Sequence, residues 1–323
     1  MATREVSTWA ELRTAIINAD NGDTIKLIKD IDCNDEIPEG VSTITSSNYA
    51  FTVDGSYVEN DVTKNHEIRN LRTSVTGGSP IFLLMSASGE ANKTTKIFKN
   101  IDFINLILDS SLFRVRYYTS ISIRNCRFTG KRTHYLIDYY TNNEGYNSCW
   151  MYSCYFNIPY YGTDYTKVPL ASFVSSTSSY KYSYAHYCRF KETYTGTWNP
   201  STETAQCCSV SHTWLNGCRV EGTVVNGNSA YFHTSNVMNL GTPSMQNVYD
   251  VDFKLTNNNS ESVVIQAFKG VVKIPVRKYS DDTPYGVASY STGVIPATES
   301  QMKDTDELIR LGFDVVPSNQ GGE

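Results

Sequence analysis

Three arginines recur at the same place in a repeated phrase of the sequence, and their chemistry suits an anion. Arg127, Arg189 and Arg219 each follow a cysteine directly and precede an apolar residue. A guanidinium group carries several N–H donors in one plane and can hold a carboxylate through two hydrogen bonds. The pattern indicates either a line of cations that binds an acidic sugar or a partner's carboxylate, or solvated side chains on an exposed strand, which is the commoner case.

Tyrosine is concentrated in the middle of the chain. Of the 23 tyrosines, 16 lie between Tyr117 and Tyr194. Adjacent tyrosines point to opposite faces of a strand, so some phenol rings must lie outside the core. Such rings are favoured at protein interfaces and on sugar-binding surfaces, although some of them could instead line the interior. The candidate interface or glycan-binding tyrosines are Tyr117, Tyr118, Tyr139, Tyr140, Tyr160, Tyr161, Tyr180, Tyr182 and Tyr184.

Catalytic chemistry is not evident in the linear sequence. The only Asp-Asp pair is Asp281-Asp282, and its Ser, Thr and Pro neighbours are typical of a turn. The sequence contains no Ser-His-Asp, phosphate-loop or dinucleotide-binding pattern. It therefore favours a non-enzymatic protein without a catalytic residue. A cluster of carboxylates from neighbouring strands is invisible at this level, and a polysaccharide-cleaving activity would depend on one.

The eight cysteines indicate buried thiols rather than a metal site. Cys207-Cys208 with His212, or Cys149 with Cys154, could be considered as zinc ligands, but neither set has the paired-cysteine spacing of a zinc site. The start of the chain lacks the apolar region of a signal peptide, which argues for reduced thiols. We therefore expect no metal, no cofactor and no disulfide.

The residues above belong to a repeat of about thirty residues. The phrase apolar-x-Asn-apolar-x-apolar begins at Ile68, Phe98 and Ile123, and it returns later in looser form. Its fourth position is apolar in every copy, and successive copies lie 30, 25, 28, 34, 30 and 33 residues apart. A period of this length predicts a solenoid of stacked units. The column predicted to form a core ladder is Leu71, Ile101, Cys126, Cys154, Cys188, Cys218 and Val251.

The spacing inside the phrase predicts short strands joined by a sharp bend. Apolar residues at the fourth and sixth positions flank a polar residue, as in a half-buried strand. The third position is Asn70, Asn100 and Asn125 in the first copies, and asparagine tolerates the positive φ of a sharp bend. Ser153 and Tyr187 occupy the same position and suit it less well. Further short apolar runs lie between the phrases without an amphipathic helix, which favours stacked strands over helical repeats.

The N-terminal residues predict a capping helix. Four apolar residues of the segment 8–19 share one helical face, and a strand begins at Thr24. Residues 10–31 match the pattern "aeL..Ai..A..GDtI.L..dI", and in this the chain resembles the right-handed parallel β-helix proteins of the pectin-lyase-like superfamily. The resemblance covers roughly residues 5–275. It implies the fold but no particular activity, since lyases, hydrolases, adhesins and viral spikes share this architecture.

The C-terminal residues differ from the repeats. Residues 291–297 are predicted as an extended linker and residues 298–313 as a short helix that begins with a capping box of Thr298 and Gln301. The tail "T.xQMKD...L...GF" resembles that of β-helical chains from bacteriophages and prophages. The prediction is an all-β, right-handed parallel β-helix solenoid with an N-terminal capping helix and a short C-terminal helical tail. Its parts are the cap and first strand (1–31), the β-helix (32–278) and a C-terminal extension (279–323).

Composition limits the partners and the location. The net charge is −5 without a basic run, which argues against nucleic acid as a partner. The sequence has no run of about twenty apolar residues and no signal peptide, which predicts no membrane insertion and assembly in a host cytoplasm. We therefore expect a non-enzymatic structural or adhesive virion protein of a bacteriophage, such as a spike, fibre or capsid appendage. The resemblance implies a homotrimer that contacts other virion proteins and a host-surface glycan; the alternative is a tailspike-type glycan lyase or hydrolase.

Overall fold

The structure, a computed structural model, describes the chain in segments. The described residues are 1–36, 43–73, 79–87, 92–141, 148–159, 171–175, 182–194, 208–209, 213–224, 230–233, 247–257, 262–266, 269–273, 277–278, 281, 283–284, 287–290 and 294–302. The helices in them are α1 (Trp9–Ile17), α2 (Cys33–Glu36) and α3 (Glu299–Met302).

Short strands make up most of the described residues. In chain order they are β1 (Thr3–Val6), β2 (Asp23–Leu27), β3 (Ile31–Asp32), β4 (Ile44–Thr45), β5 (Phe51–Asp54), β6 (Ser56–Glu59), β7 (Val62–Arg69), β8 (Phe82–Leu84), β9 (Thr94–Lys99), β10 (Ile101–Leu108), β11 (Phe113–Val115), β12 (Thr119–Arg124), β13 (Arg127–Arg132), β14 (Ile137–Thr141), β15 (Ser148–Tyr152), β16 (Tyr155–Asn157), β17 (Ala171–Ser175), β18 (Tyr182–His186), β19 (Arg189–Tyr194), β20 (Cys208–Ser209), β21 (Thr213–Asn216), β22 (Arg219–Val224), β23 (Ala230–His233), β24 (Asn247–Asn257), β25 (Ser262–Gln266), β26 (Lys269–Lys273), β27 (Arg277–Lys278), β28 (Val287–Tyr290) and β29 (Val294–Ala297).

Nearly all of these strands pair in parallel. Sheet 1 runs β1, β2, β5, β9, β12, β15, β18, β21, β24, β26, β29. Sheet 2 runs β3, β7, β10, β13, β16, β19, β22, β24, β27. Sheet 3 runs β4, β8, β11, β14, β17, and sheet 4 runs β20, β23, β25, β28. The prediction of a mostly-β chain with parallel sheets is confirmed, and within each sheet the neighbouring strands come from successive repeats.

A sharp bend joins sheet 1 to sheet 2 in five successive repeats, whereas β24 runs through both sheets as one strand. The residue at this bend has a φ between 49° and 59° in five successive repeats, namely in Asn100, Asn125, Ser153, Tyr187 and Gly217. Ser153 and Tyr187 adopt this conformation although their side chains do not favour it. The geometry of the repeat therefore overrides the local preference of the residue.

The first copy of the phrase is displaced from the others. In the register of sheet 2, Ile68 lies opposite Phe103, so Leu71 follows a different bend from Ile101. The Leu71 carbonyl accepts a hydrogen bond from the Ile107 N–H at 3.0 Å. Leu71 is fully buried, but it packs further along β10 than the sequence spacing suggested. The cause is the antiparallel hairpin β6–β7, which is inserted before this phrase and adds residues that the other repeats lack.

The asparagines at the bends form a ladder of amide hydrogen bonds. The Asn125 amide donates to the Asn100 side-chain oxygen at 2.9 Å, and the Asn100 amide donates to a carboxylate oxygen of Asp54 at 3.0 Å. Burial alone would raise the pKa of Asp54, but the Asn100 amide, the Ser56 N–H and hydroxyl, and the Lys99 charge together lower it to about 2. The ladder thus stabilises one ionised carboxylate at the start of the series.

We expect Asn100→Ala to lose about 2–4 kcal/mol of unfolding free energy, because alanine at positive φ costs ~1–2 kcal/mol and each lost amide bond ~1 kcal/mol. Asn100→Gly removes the amide bonds but tolerates the backbone conformation, so it should lose about half as much. Urea denaturation of the two variants beside the parent chain measures both contributions. Equal losses for glycine and alanine would show that the backbone at this bend is not strained.

Two columns of side chains fill the interior behind sheet 2. Phe103, Phe128, Phe156 and Phe190 stack with ring centroids 5.0–5.1 Å apart and nearly parallel planes. Cys126, Cys154, Cys188 and Cys218 are also buried and form no disulfide. Burial raises the pKa of the Cys188 thiol well above the usual value, and the neighbouring thiols of Cys154 and Cys218 raise it further. These buried thiols therefore act as small apolar core groups.

The N-terminal end of the structure agrees with the sequence-based prediction more closely than the C-terminal end does. The predicted N-terminal helix is present as α1, with a capping box between Thr8 and Glu11, and it packs Trp9 against Phe82. At the other end, residues 294–297 of the predicted linker form β29, which pairs with β26 and extends sheet 1. The predicted capping box of Thr298 and Gln301 is present in α3. The rest of the predicted tail helix and Val251's side chain lie outside the described residues.

Candidate binding surface on sheet 2

The three arginines singled out from the sequence lie in one outward-facing column of sheet 2. Register pairs place Arg127 beside Tyr155, Tyr155 beside Arg189, and Arg189 beside Arg219 on successive strands. The column continues towards the N-terminus through Asp102. Because alternate residues of a strand face the same side, all of these side chains project away from the phenylalanine and cysteine columns.

Tyr155 separates two of the arginines and stacks with both. The guanidinium carbon of Arg127 lies 5.9 Å from the Tyr155 ring centroid, and that of Arg189 lies 5.4 Å from it. The two arginines come from the strands before and after Tyr155, so they approach the ring from opposite sides. Stacking restrains each guanidinium group while leaving its in-plane N–H donors available at the edge.

A buried carboxylate holds the other end of the arginine column. Glu221 is only 1% exposed, and both of its oxygens accept hydrogen bonds from Arg189, at 2.8 and 2.9 Å. Arg219 forms an ion pair with the same carboxylate, with its Nε 2.7 Å from one oxygen. The side chains of Arg189 and Arg219 remain 49% and 40% exposed. The surface therefore presents fixed cations whose outer edges still reach solvent.

Carboxylates occupy the N-terminal end of the same face. Glu67 pairs with Asp102 in the strand register, and Asp30 lies one strand earlier. Asp30 accepts hydrogen bonds from the His66 ring at 3.0 Å and from the Arg69 guanidinium at 2.9 Å. Asp102 accepts a hydrogen bond from the Asn65 amide at 2.8 Å. The linear sequence hides this group, since its members are separated by more than thirty residues.

The surroundings of Asp102 in the folded chain disfavour its ionised form. Burial raises its pKa, and the nearby charges of Glu67 and Asp30 raise it further, against the opposing effects of Asn65 and Arg127. A raised folded pKa means that ionised Asp102 destabilises the fold above the pKa of the unfolded chain, near 4.

We expect Asp102→Asn to increase thermal stability at pH 7 and to leave it unchanged at pH 3, where the carboxyl group is protonated in both states. The asparagine side chain keeps an oxygen that can accept the hydrogen bond from the Asn65 amide. The gain in unfolding free energy at this partly exposed site should be about 1 kcal/mol or less. Thermal unfolding at the two pH values, with Asp109→Asn as an exposed control, measures it. A loss of stability at pH 7 would contradict the raised pKa.

A second outward surface lies on sheet 1, next to the bend. Tyr152 stacks on His186 with centroids 5.1 Å apart and planes 9° apart, and the Arg124 guanidinium lies 5.7 Å from the Tyr152 centroid. Both faces of Tyr152 are thus covered by neighbouring side chains of the chain itself. A sugar ring stacks on an open aromatic face, so these rings offer edges and hydroxyl groups rather than a stacking platform.

The predicted tyrosines are scattered over several surfaces. Tyr117 is 37% exposed and has a positive φ of 56°, and Tyr118 is half-buried beside it. Tyr184 faces outward on sheet 1, where its ring lies 6.4 Å from that of His186. Tyr160, Tyr161 and Tyr180 lie outside the described residues, and so do the side chains of Tyr139, Tyr140 and Tyr182.

The most connected members of the sheet 2 surface, Tyr155 and Glu221, were not singled out from the sequence. The signal for Tyr155 was its position, directly after Cys154, where other repeats carry arginine. Glu221 had no such signal, because a glutamate two residues after an arginine on a strand normally faces solvent. Among the described residues, no group of three or more His, Cys, Asp or Glu side chains is arranged to hold a metal ion. No helix in the described part of the chain has the length and apolar character to span a bilayer.

Comparisons with protein-family models, with curated proteins and with solved structures each find no significant match. What the chain can bind therefore has to follow from its own geometry. That geometry consists of parallel sheets with a rigid, charged outward surface on sheet 2 and covered aromatic rings on sheet 1.

Proposed function

We propose that this chain is a non-enzymatic structural and adhesive protein of a bacteriophage particle, a spike, fibre or capsid appendage built as a right-handed parallel β-helix of the pectin-lyase-like kind. The parallel strand series support the architecture, because each repeat adds one neighbour to sheet 1 and one to sheet 2. The phage assignment depends on the resemblance of the N-terminal cap and the C-terminal tail. In this role the chain works as a stiff column that presents side chains to neighbours.

The observation that carries a binding role is the fixed surface around Tyr155. Arg127 and Arg189 cover the two sides of the Tyr155 ring, and Glu221 anchors Arg189 and Arg219 from below. Side chains that are ordered before contact lose little conformational entropy when a partner binds. A surface of ordered hydrogen-bonding edges suits contacts with other proteins of the particle or with the hydroxyl and carboxylate groups of a host glycan.

Mass spectrometry of density-purified phage particles tests the virion assignment. We expect the chain to co-purify with the particles at a fixed copy number relative to the major capsid protein. Electron microscopy of the same particles, labelled with an antibody against the chain, would then locate it. Its recovery only from the soluble fraction of lysed cells, and not from particles, would contradict the proposal.

The alternative, a polysaccharide-cleaving enzyme, is favoured by one observation. Asp102, with its raised pKa, lies on the strand next to Glu67, and cleavage of a glycosidic bond needs one protonated and one ionised carboxyl group. Incubation of the chain with capsular or cell-wall glycans, followed by measurement of chain length, separates the two functions. Shortened glycans with the parent chain and intact glycans with Asp102→Asn would establish the enzyme.

A further inference from the structure

The charges on the outward face of sheet 2 are strongly polarised. We call this face, from Asp30 to Arg277, the polar face. On β3, β7 and β10, or directly before β3, it carries four carboxylates against one arginine, Arg69; the carboxylates are Asp30, Asp32, Glu67 and Asp102. From β13 onwards the charged side chains of this face that the structure describes are seven cations and the buried carboxylate of Glu221. The cations are Arg127, Lys131, Arg189, Lys191, Arg219, Lys254 and Arg277. The chain as a whole has a net charge of −5, so this basic half is a local feature of one surface.

We propose that two copies of this chain pair through their polar faces in an antiparallel arrangement, about a two-fold axis that lies along the strand direction between β13 and β16. Such an axis reverses the order of the strands and keeps each outward column opposite itself. It places β3 against β24, β7 against β22, β10 against β19 and β13 against β16 of the other copy. Parallel pairing would instead bring the acidic half against the acidic half and the basic half against the basic half.

The column that contains Tyr155 is complementary to itself in this register. Glu67 meets Arg219 of the second copy, and Asp102 meets Arg189. Arg127 meets Tyr155, on which it already stacks within its own chain. Each contact occurs twice, because the interface is symmetric. Charge complementarity of this kind fixes the register of an interface and rejects other arrangements.

The neighbouring column agrees with the same register. Asp32 meets Lys254 of the second copy, and Thr129 meets Asn157, a pair that can hydrogen-bond. Glu221 falls opposite Arg69 but is buried beneath Arg189 and Arg219 of its own chain, so it takes no part in the contact. Two positions do not favour the pairing, since Asp30 falls opposite Asp252 in the first column and the apolar Ile104 falls opposite Lys191 in the second. Asp30 is already bonded to His66 and Arg69 within its own chain, which lessens the repulsion.

Exposed apolar side chains beside the polar face are also brought together. Val58 and Val62 on the hairpin β6–β7 are 71% and 56% exposed, and Tyr187 at the bend before β19 is 58% exposed. The antiparallel register brings the hairpin of one copy, on β7, to the bends that precede β19 and β22 of the other. Contact would remove these three apolar groups from water.

The size of the surface suffices for a stable pair. Eight strands spaced ~4.8 Å apart and about 20 Å wide give roughly 700 Å² per copy, close to the ~800 Å² of a standard interface. Extended acidic peptides match the surface less well, because their carboxylates repeat every ~6.7 Å rather than at the strand spacing. A second copy of the chain supplies the complementary charges at the strand spacing. The proposed assembly is therefore a dimer, in place of the trimer implied by the resemblance.

Charge exchange between two variants tests this register. Asp102→Lys places like charges at both contacts of a homodimer, and so does Arg189→Glu. We expect each variant alone to sediment as one chain and the equimolar mixture to form a heterodimer, because both contacts are attractive again when the variants meet. Analytical ultracentrifugation at low ionic strength measures the masses, and the parent dimer should dissociate in high salt.

Two controls complete the experiment. Arg13→Glu, on the exposed side of α1, changes the net charge by the same amount as Arg189→Glu and should leave the dimer intact. Glu67→Lys, on β7 and away from the Glu221 cluster, places like charges opposite Arg219 of the second copy and should weaken the dimer at least tenfold even if Arg189→Glu fails to fold by circular dichroism. A parent chain that remains monomeric at low salt, or variants that do not pair when mixed, would overturn the proposal.

Discussion

Replacing Lys96 by methionine is expected to abolish a rise in stability between pH 7 and 8.5. Lys96 is fully buried on β9, where its ammonium group donates to the carbonyls of Ser47 and Tyr49 and lies 5.1 Å from the centroid of the Phe51 ring. Burial lowers its pKa to about 7. In the unfolded chain the pKa of a lysine is near 10.4, so above pH 7 the unfolded state binds a proton that the folded state releases.

The sign of the effect follows from that difference. Where the unfolded state binds more protons, the unfolding free energy increases with pH, by up to about 1.4 kcal/mol per pH unit for one group. The parent chain should therefore gain stability relative to Lys96→Met from pH 7 upwards. Above pH ~8.5 the unfolded cysteines ionise, whereas burial raises the pKa of the Cys126 and Cys188 thiols in the folded chain; this difference lowers stability and masks the gain.

Urea denaturation of both chains at half-unit steps of pH measures the difference. Lys99→Met on the same strand, at an outward position, serves as the control and should keep the rise. A constant difference between the parent chain and Lys96→Met from pH 7 to 8.5 would mean that Lys96 stays protonated throughout. In that case the hydrogen bonds to the two carbonyl groups would stabilise the charged form of Lys96 by more than burial destabilises it.

Gly130→Ala is expected to cost the fold about 4 kcal/mol or more, at the upper end of single substitutions. A Cβ atom at residue 130 would lie 2.2 Å from the carbonyl oxygen of Leu106 and 2.4 Å from its nitrogen. Backbone atoms cannot move aside as a flexible side chain can, and φ at Gly130 is +143°, which alanine avoids. The strand register between β10 and β13 shifts at this point, so relief would require the two strands to separate.

Thermal and urea unfolding of Gly130→Ala measure the loss, with Lys131→Ala as the matched control. Lys131 is the next residue on β13 and is exposed, so its truncation should change stability by less than about 0.5 kcal/mol. A Gly130→Ala chain that unfolds within a few degrees of the parent would show that β10 and β13 are not in close contact there.

The repeat makes most of the strands predictable from the sequence, and the exceptions lie where the chain departs from the repeat. Alternating apolar residues such as Ile121 and Ile123 set the face of each strand, and the asparagines set the bends, so both could be predicted from spacing alone. The spacing predicts Leu71 beside Ile101, whereas it lies further along β10, because the inserted hairpin carries no apolar period of its own. The sequence predicts a linker at β29 because its valine, isoleucine and proline have no polar alternation to mark them as a strand.

The candidate surface was only partly predictable for a different reason. The arginine column follows from one strand position, so the repeat phrase was enough to find Arg127, Arg189 and Arg219. The charges opposite and beneath them, such as Glu67 and Glu221, depend on which strands become neighbours and on how deeply a side chain lies. The identity of neighbouring strands and the depth of a side chain are set by the strand register, which residue spacing in a single sequence does not reveal.

The stacked phenylalanines and cysteines make the repeats between Phe103 and Cys218 nearly equivalent in cross-section. Phe128 meets the same shape above it as below it, with 5.0 Å to one ring and 5.1 Å to the other. A gene encoding such a chain can gain or lose a whole repeat without creating a cavity or a mismatched layer, because the freed surfaces fit each other. Length is therefore the property that duplication and deletion can change most readily in this molecule, while its width stays constant.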